Sequence, residues 1–258
     1  MRVLLTNDDG IEAPGLLALA HALRDAGHDL VVAAPAADSS GSGTSLGAID
    51  HGTIVATSPY RLPGLEDVPA HRVSAPPAFA VLAACFGALG PPPDVVVAGV
   101  NDGHNTGRAV LHSSTVGAAL TASTAGRSAL AVSCGEYPGA RFDTAAAVGV
   151  AVLRWLISEA PRRTVLNVNV PDVDIAALQG IRWARLGRVG SAGLTIKPAA
   201  DGLRLERFPT AHDVLAAEEH RDTDSAVVAS RCVSVTGLVG GPREVSDLGS
   251  LAGVLPVA

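Results

Sequence analysis

Short β-branched runs alternate with Ala- and Leu-rich stretches of helical spacing from residue 2 to about residue 170. That alternation is the pattern of a parallel sheet covered by helices, an α/β layer fold. Strands are expected over residues 2–6, 30–34, 53–57, 95–98, 129–133 and 165–170. Helices are expected over 14–27, 76–89, 114–125 and 143–158. Two of these open on proline, which suits a first turn because its missing N–H has no partner there anyway. After Pro171 the texture changes. Strand candidates at 181–186 and 231–236 flank a stretch over 187–224 rich in Gly, Asp, Arg and Glu. That stretch has no firm helix period and reads as a hairpin arm or a mobile loop.

Composition narrows the function. The chain has 258 residues, 48% hydrophobic and 17% charged, enough to enclose an apolar core and too apolar for disorder. Net charge is −6, and Lys197 is the only lysine, so the dense cationic face of a nucleic-acid backbone binder is missing. No duplex partner is expected. Cys85, Cys134 and Cys232 are few, odd in number and far apart, which argues against a disulfide scaffold or a zinc cluster. With no targeting pattern and no apolar run near the roughly 18 residues of a membrane span, a soluble, cytoplasmic protein is expected.

In an open parallel sheet, ligands bind beyond the carboxyl ends of the strands, where strand order reverses. Three polar clusters fall at such ends. Asn7-Asp8-Asp9-Gly10 follows the first strand and Asp38-Ser39-Ser40-Gly41-Ser42-Gly43 the second; Asn101-Asp102-Gly103-His104-Asn105-Thr106-Gly107 follows the strand over 95–98. Each alone is an ordinary turn sequence. If the three strands are parallel and adjacent, all three loops open on one edge and share a site.

Adjacent carboxylates at a buried strand end repel, and desolvation makes both charges costly. A hard divalent cation such as Mg²⁺ or Mn²⁺ relieves that, and prefers carboxylate, amide and hydroxyl oxygens. Asp8, Asp9, Ser40 and Asn101 offer that ligand set. Ser113-Ser114-Thr115-Val116-Gly117 opens a small-residue helix whose free N–H groups and hydroxyls would seat a phosphate. A cation beside a phosphate seat points to phosphoryl chemistry. His104 and His112 lie near the expected site, whereas His21 and His28 read as surface or helix-end residues. A dinucleotide oxidoreductase is disfavoured, because no G-x-G-x-x-G follows the first strand.

The run Val3-Leu4-Leu5-Thr6-Asn7-Asp8-Asp9-Gly10-Ile11, with Ala13-Pro14-Gly15 after it, closely resembles the opening of the SurE family. Its members are divalent-metal-dependent 5′(3′)-nucleotidases, also called stationary-phase survival proteins. The resemblance continues in Val97-Ala98-Gly99-Val100-Asn101, in Ser113 to Ala119, in Leu166-Asn167-Val168-Asn169-Val170-Pro171 and at Thr223-Asp224. It implies one domain with a Rossmann-like core, mostly parallel with helices on both faces, over about 1–186 and 226–258. It further implies a C-terminal β-rich excursion over about 187–225, used in subunit exchange, and a homodimer or homotetramer. Asp8, Asp9, Ser40 and Asn101 match the residues that hold one divalent cation per subunit. Ser40 matches in register because the family pattern reads Arg-Ser-Gly there. Asn105 and Ser113 match positions near the phosphate.

The metal set is intact, but its surroundings depart from the family pattern. Ser39 stands where arginine is usual, Glu12 for histidine, Ala36 for aspartate, His112 for tyrosine and Ser114 for glycine, and Arg108 falls where an acidic residue is frequent. The expected function is hydrolysis of nucleoside 5′- or 3′-monophosphates with Mg²⁺ or Mn²⁺. Asp8 and Asp9 are the catalytic pair, and Asn105, Ser113 and the amides of Ser114 and Thr115 hold the phosphate. Arg108 is placed to supply the charge absent at Ser39. Two alternatives are a phosphatase for another small phosphate ester and a non-catalytic nucleotide or metal sensor.

Overall fold

The computed structural model describes residues 1–135, 140–188, 190, 192–209 and 221–239. Its frame is a parallel sheet built on the continuous apolar runs. β1 (Arg2–Thr6), β2 (Asp29–Pro35), β5 (Val95–Asn101), β6 (Ser128–Ser133) and β7 (Val165–Asn169) are buried almost throughout, as strands covered on both faces must be. Side chains alternate between two cores. Val3, Leu5, Val95 and Val97 face α1 (Pro14–Asp25) and α4 (Phe142–Ser158), whereas Leu4, Val96 and Ala98 face α2 (Pro77–Cys85) and α3 (Ser114–Thr124). In α1 the buried Leu16, Leu19, Ala20 and Leu23 recur at helical spacing, so one stripe faces the sheet.

With β3 (Thr57–Tyr60), β4 (Ala70–Val73), β8 (Ile181–Trp183) and β11 (Val233–Leu238), nine strands among the described residues form one sheet in the order β3-β4-β2-β1-β5-β6-β7-β11-β8. The chain moves outward from β1 to β2, then crosses back to lay β5 on the other side of β1. Strand order therefore reverses between β1 and β5. β2, β1 and β5 are adjacent and parallel, which meets the condition for the three polar loops to open on one edge.

The strand expected over 53–57 is a correction. β3 is Thr57–Tyr60, antiparallel to β4 (Ala70–Val73), and neither was legible as a strand. Both are four-residue strands without apolar alternation, β3 at the sheet edge and β4 next to it, and Ile54, part of the run that suggested a strand, is exposed. The strand expected over 95–98 runs on to Asn101 through a register shift against β6, pairing Asn101 with Ser133. β8 (Ile181–Trp183) stops three residues short of its expectation, and β11 (Val233–Leu238) lies slightly later. β11 is antiparallel to β7 and parallel to β8.

Within the expected extension, β9 (Ala192–Ala199) and β10 (Gly202–Pro209) pair as an antiparallel hairpin, resolving the choice between arm and loop. The short helix α5 (Asp224–Ala229), unforeseen in the sequence, returns the chain to the sheet. Residues 210–220 of the expected extension and 240–258 of the expected core lie outside the described residues. No helix among the described residues is long and apolar enough to cross a membrane.

Candidate functional site

The site forms where β1 and β5 end side by side. Asp8 lies two residues beyond the end of β1 and is 2% exposed. Asn101 is the last residue of β5, so the sheet aims its side chain. The Asn101 amide nitrogen donates to the Gly103 carbonyl at 2.6 Å, which leaves Oδ1 facing Thr115. Thr115, in the first turn of α3, brings its hydroxyl to both: Oγ1 lies 3.0 Å from Asn101 Oδ1 and makes a short contact with Asp8 Oδ1. Two acceptor oxygens thus face one hydroxyl with a single proton between them. That donor set is electron-rich and built of hard oxygens, and it fits a divalent cation.

Electrostatics point the same way. Burial pushes the Asp8 carboxyl above its ordinary value; the Thr115 hydrogen bond partly offsets this, and the charge of Asp38 adds to it. Asp9, partly buried, is raised to about 7, first by burial and then by the charge of Asp8, against a 3.4 Å hydrogen bond from the Asp102 amide. Four carboxylates, Asp8, Asp9, Asp38 and Asp102, therefore bear on one small region. No cluster of three or more His, Cys, Asp or Glu suited to a metal occurs among the described residues. The donors here are two carboxylates supplemented by neutral oxygens.

The second loop is fastened to α3. The Ser114 hydroxyl donates to the Ser39 carbonyl at 2.9 Å and accepts from the Ser42 amide at 2.9 Å; the Ser42 hydroxyl lies 2.9 Å away. The approach is close enough that a Cβ on Gly117 would sit 2.2 Å from the Gly43 carbonyl oxygen. The Ser39 amide donates to the Asp8 carbonyl at 2.8 Å, and Asp38 accepts from the Ser40 amide at 2.8 Å. Ser40 itself is exposed on this loop. Ser113 caps α3, its hydroxyl accepting the Val116 amide at 3.2 Å. Three hydroxyls expected at the phosphate seat are therefore engaged within the protein.

The third loop is held from beneath. The Asn105 amide donates to Asn169 Oδ1 at 2.7 Å, and its carbonyl accepts from Asn167 at 2.8 Å and Asn169 at 3.0 Å. One side-chain N–H of Asn105 goes to Ser133. His104 lies 2.8 Å from the Val170 carbonyl. Arg108 and His112 are exposed on the 3-10 turn Gly107–His112 that joins this loop to α3.

With this geometry in place, likeness to known proteins becomes informative. The family model described as Survival protein SurE matches residues 3–192. The chain belongs to the SurE family. The 5'/3'-nucleotidase SurE of Edwardsiella ictaluri is 39% identical to this SurE-family chain, over 92% of the chain and 89% of that protein. The 5'/3'-nucleotidase SurE of Salmonella arizonae is 40% identical over 92% and 90%. The crystal structure of the SurE protein from Aquifex aeolicus superposes with a TM-score of 0.77 at 27% identity, covering 93% of this chain and 94% of that one.

Sequence reasoning about this SurE-family site passed over Ser133, Asn167, Asn169 and Asp224 as supports. A signal for two of them was present. Asn167 and Asn169 lie two apart in an otherwise apolar strand, hence on one face, and buried amides there are costly unless bonded.

Proposed function

We propose that this chain is a metal-dependent phosphomonoesterase that hydrolyses nucleoside 5′- or 3′-monophosphates to nucleoside and phosphate. The observation that carries the reading is the oxygen cluster of Asp8, Asn101 and Thr115 at the β1/β5 reversal, beside the N-terminus of α3. Relatives named nucleotidases at about 40% identity support the substrate class. Asp8, Asp9, Ser40 and Asn101 hold one Mg²⁺ or Mn²⁺ per subunit. When bound, the cation supplies a Lewis acid that offsets charge on the phosphoryl oxygens.

The chain's own groups do the rest. The backbone N–H groups of Ser114 and Thr115, at the positive end of α3, bind phosphate oxygens. Asn105 and Ser113 border that seat, and Arg108 adds a cation from the adjoining turn. Water attacks phosphorus in line as the ester P–O bond breaks. Asp9 takes the proton from the water and returns it to the leaving ribose oxygen. The subunits assemble as a homodimer or homotetramer. Exposed Ile196, Leu203 and Leu205 on the hairpin support this, since a two-stranded sheet alone is marginal.

The test is phosphate release from a panel of nucleoside 5′- and 3′-monophosphates and p-nitrophenyl phosphate, with Mn²⁺ and with chelator. Metal-dependent release, fastest on nucleotides, is expected. Undiminished turnover in Asp8→Asn or Asp9→Asn protein, or equal turnover in chelator, would reject the assignment.

A further inference from the structure

Asp224 lies 117 residues from Gly107 in sequence, is wholly buried, and is used by none of the chemistry above. One carboxylate oxygen, Oδ2, accepts the amide of Gly107 at 2.8 Å. The other, Oδ1, accepts the amides of Gly187 and Ser225, each at 2.9 Å, and faces the Ser225 hydroxyl at 3.4 Å. The first contact reaches the turn that carries Arg108 and adjoins Asn105. The second reaches the point where the chain leaves toward the β9–β10 hairpin. Around it the two roots of the arm are pinned together. The Asp224 amide donates to the Arg185 carbonyl, the Arg185 amide donates to the Asp222 carbonyl, and Arg185 pairs with Asp222 at 3.1 Å.

A buried carboxylate bonded to backbone amides on two sides is an expensive way to hold a loop unless the position matters, because its desolvation has to be offset by those bonds. We propose that Asp224 is a positioning residue for the substrate side of the site, joining the arm's root to the loop that carries Asn105 and Arg108. The proposal rests on the phosphatase reading for its kinetic consequence and on geometry alone for its mechanical one. It leaves the cation-binding side untouched, since Asp8 and Asp9 follow β1 and Asn101 is fixed as the last residue of β5.

The two oxygens make a selective test available. In Asp224→Asn the side-chain oxygen stays with Gly187 and Ser225, where the donors are, and the amide nitrogen then faces the Gly107 N–H. That variant cuts the link to the site and keeps the link to the arm; Asp224→Ala cuts both. Hydrogen exchange followed by mass spectrometry reads the mechanical claim in either protein without any substrate. In Asp224→Asn, peptides over 102–112 should exchange about tenfold faster while those over 184–188 hold. In Asp224→Ala both should speed up. For the kinetic claim, the KM for a nucleoside monophosphate should rise about tenfold in Asp224→Asn, with kcat changed less than threefold. Mn²⁺ affinity, measured by electron paramagnetic resonance, should stay within twofold. Unchanged exchange over 102–112 in Asp224→Asn would overturn the proposal, as would Mn²⁺ affinity falling in step with KM. If the parent protein releases no phosphate from any ester, the functional reading fails by itself, and the exchange result still decides the role of Asp224.

Discussion

Replacing Asp9 by asparagine should stabilise the metal-free protein at neutral pH and lose much of that advantage in acid. The folded carboxyl titrates at about 7 against an ordinary value of 3.8. Such a group contributes stability that is fully present below the unfolded value and is lost as pH rises through the folded one. Between pH 5 and pH 7.5 the folded state holds a proton that the unfolded state has already released, over about two pH units. At about 1.4 kcal/mol per unit this amounts to about 2.7 kcal/mol, and partial exposure of the side chain lowers it to about 2. Asparagine carries no such dependence. Urea unfolding in chelator should therefore show the Asp9→Asn advantage growing by about 2 kcal/mol from pH 5 to pH 7.5, or by about 4–8 °C in Tm for a chain of this size. Saturating Mn²⁺ at pH 7.5 should reverse the ranking, because the parent gains about 2.7 kcal/mol at a hundred times Kd and the variant gains less. An advantage equal at both pH values would refute the claim that Asp9 is held strained by burial and by Asp8.

Further outcomes follow from the same contacts. Thr115→Val, which removes the hydroxyl shared by Asp8 and Asn101, should weaken Mn²⁺ binding about tenfold by calorimetry while Thr115→Ser stays close to the parent. Gly117→Ala places a Cβ against the Gly43 carbonyl and should cost about 1–3 kcal/mol in urea unfolding, with the second loop displaced in a crystal structure. Ser114→Ala removes the group that ties Ser39 and Ser42 to α3. It should raise the metal requirement for half-maximal activity several-fold and leave the far-ultraviolet circular dichroism unchanged.

The central strands were legible because they are covered on both faces and therefore read as unbroken apolar runs. α1 and α4 were legible from their spacing. Asp8, Asp9 and Asn101 could be named because three polar clusters followed three such strands, and the reversal between β1 and β5 then brought two of those ends together. β3 and β4 escaped notice because strands of only four residues at and beside the sheet edge carry no apolar period, and Ile54 drew the reading to the wrong segment. The hydroxyls of Ser114 and Thr115 read naturally as phosphate ligands. Of their partners in the structure, Ser39 and Ser42 lie in a loop that reaches α3 where Gly43 meets Gly117, and Asp8 and Asn101 stand at the ends of β1 and β5. Asp224 was illegible for a related reason: nothing local in Thr223-Asp224-Ser225 records that its carboxylate meets Gly107 across the molecule.

The most direct measurement is anomalous diffraction at the manganese edge from crystals soaked in Mn²⁺. A single strong peak bounded by Asp8, Asp9, Ser40 and Asn101, next to the first turn of α3, is the expected result. A peak elsewhere, or none at Mn²⁺ concentrations that support phosphate release, would contradict it.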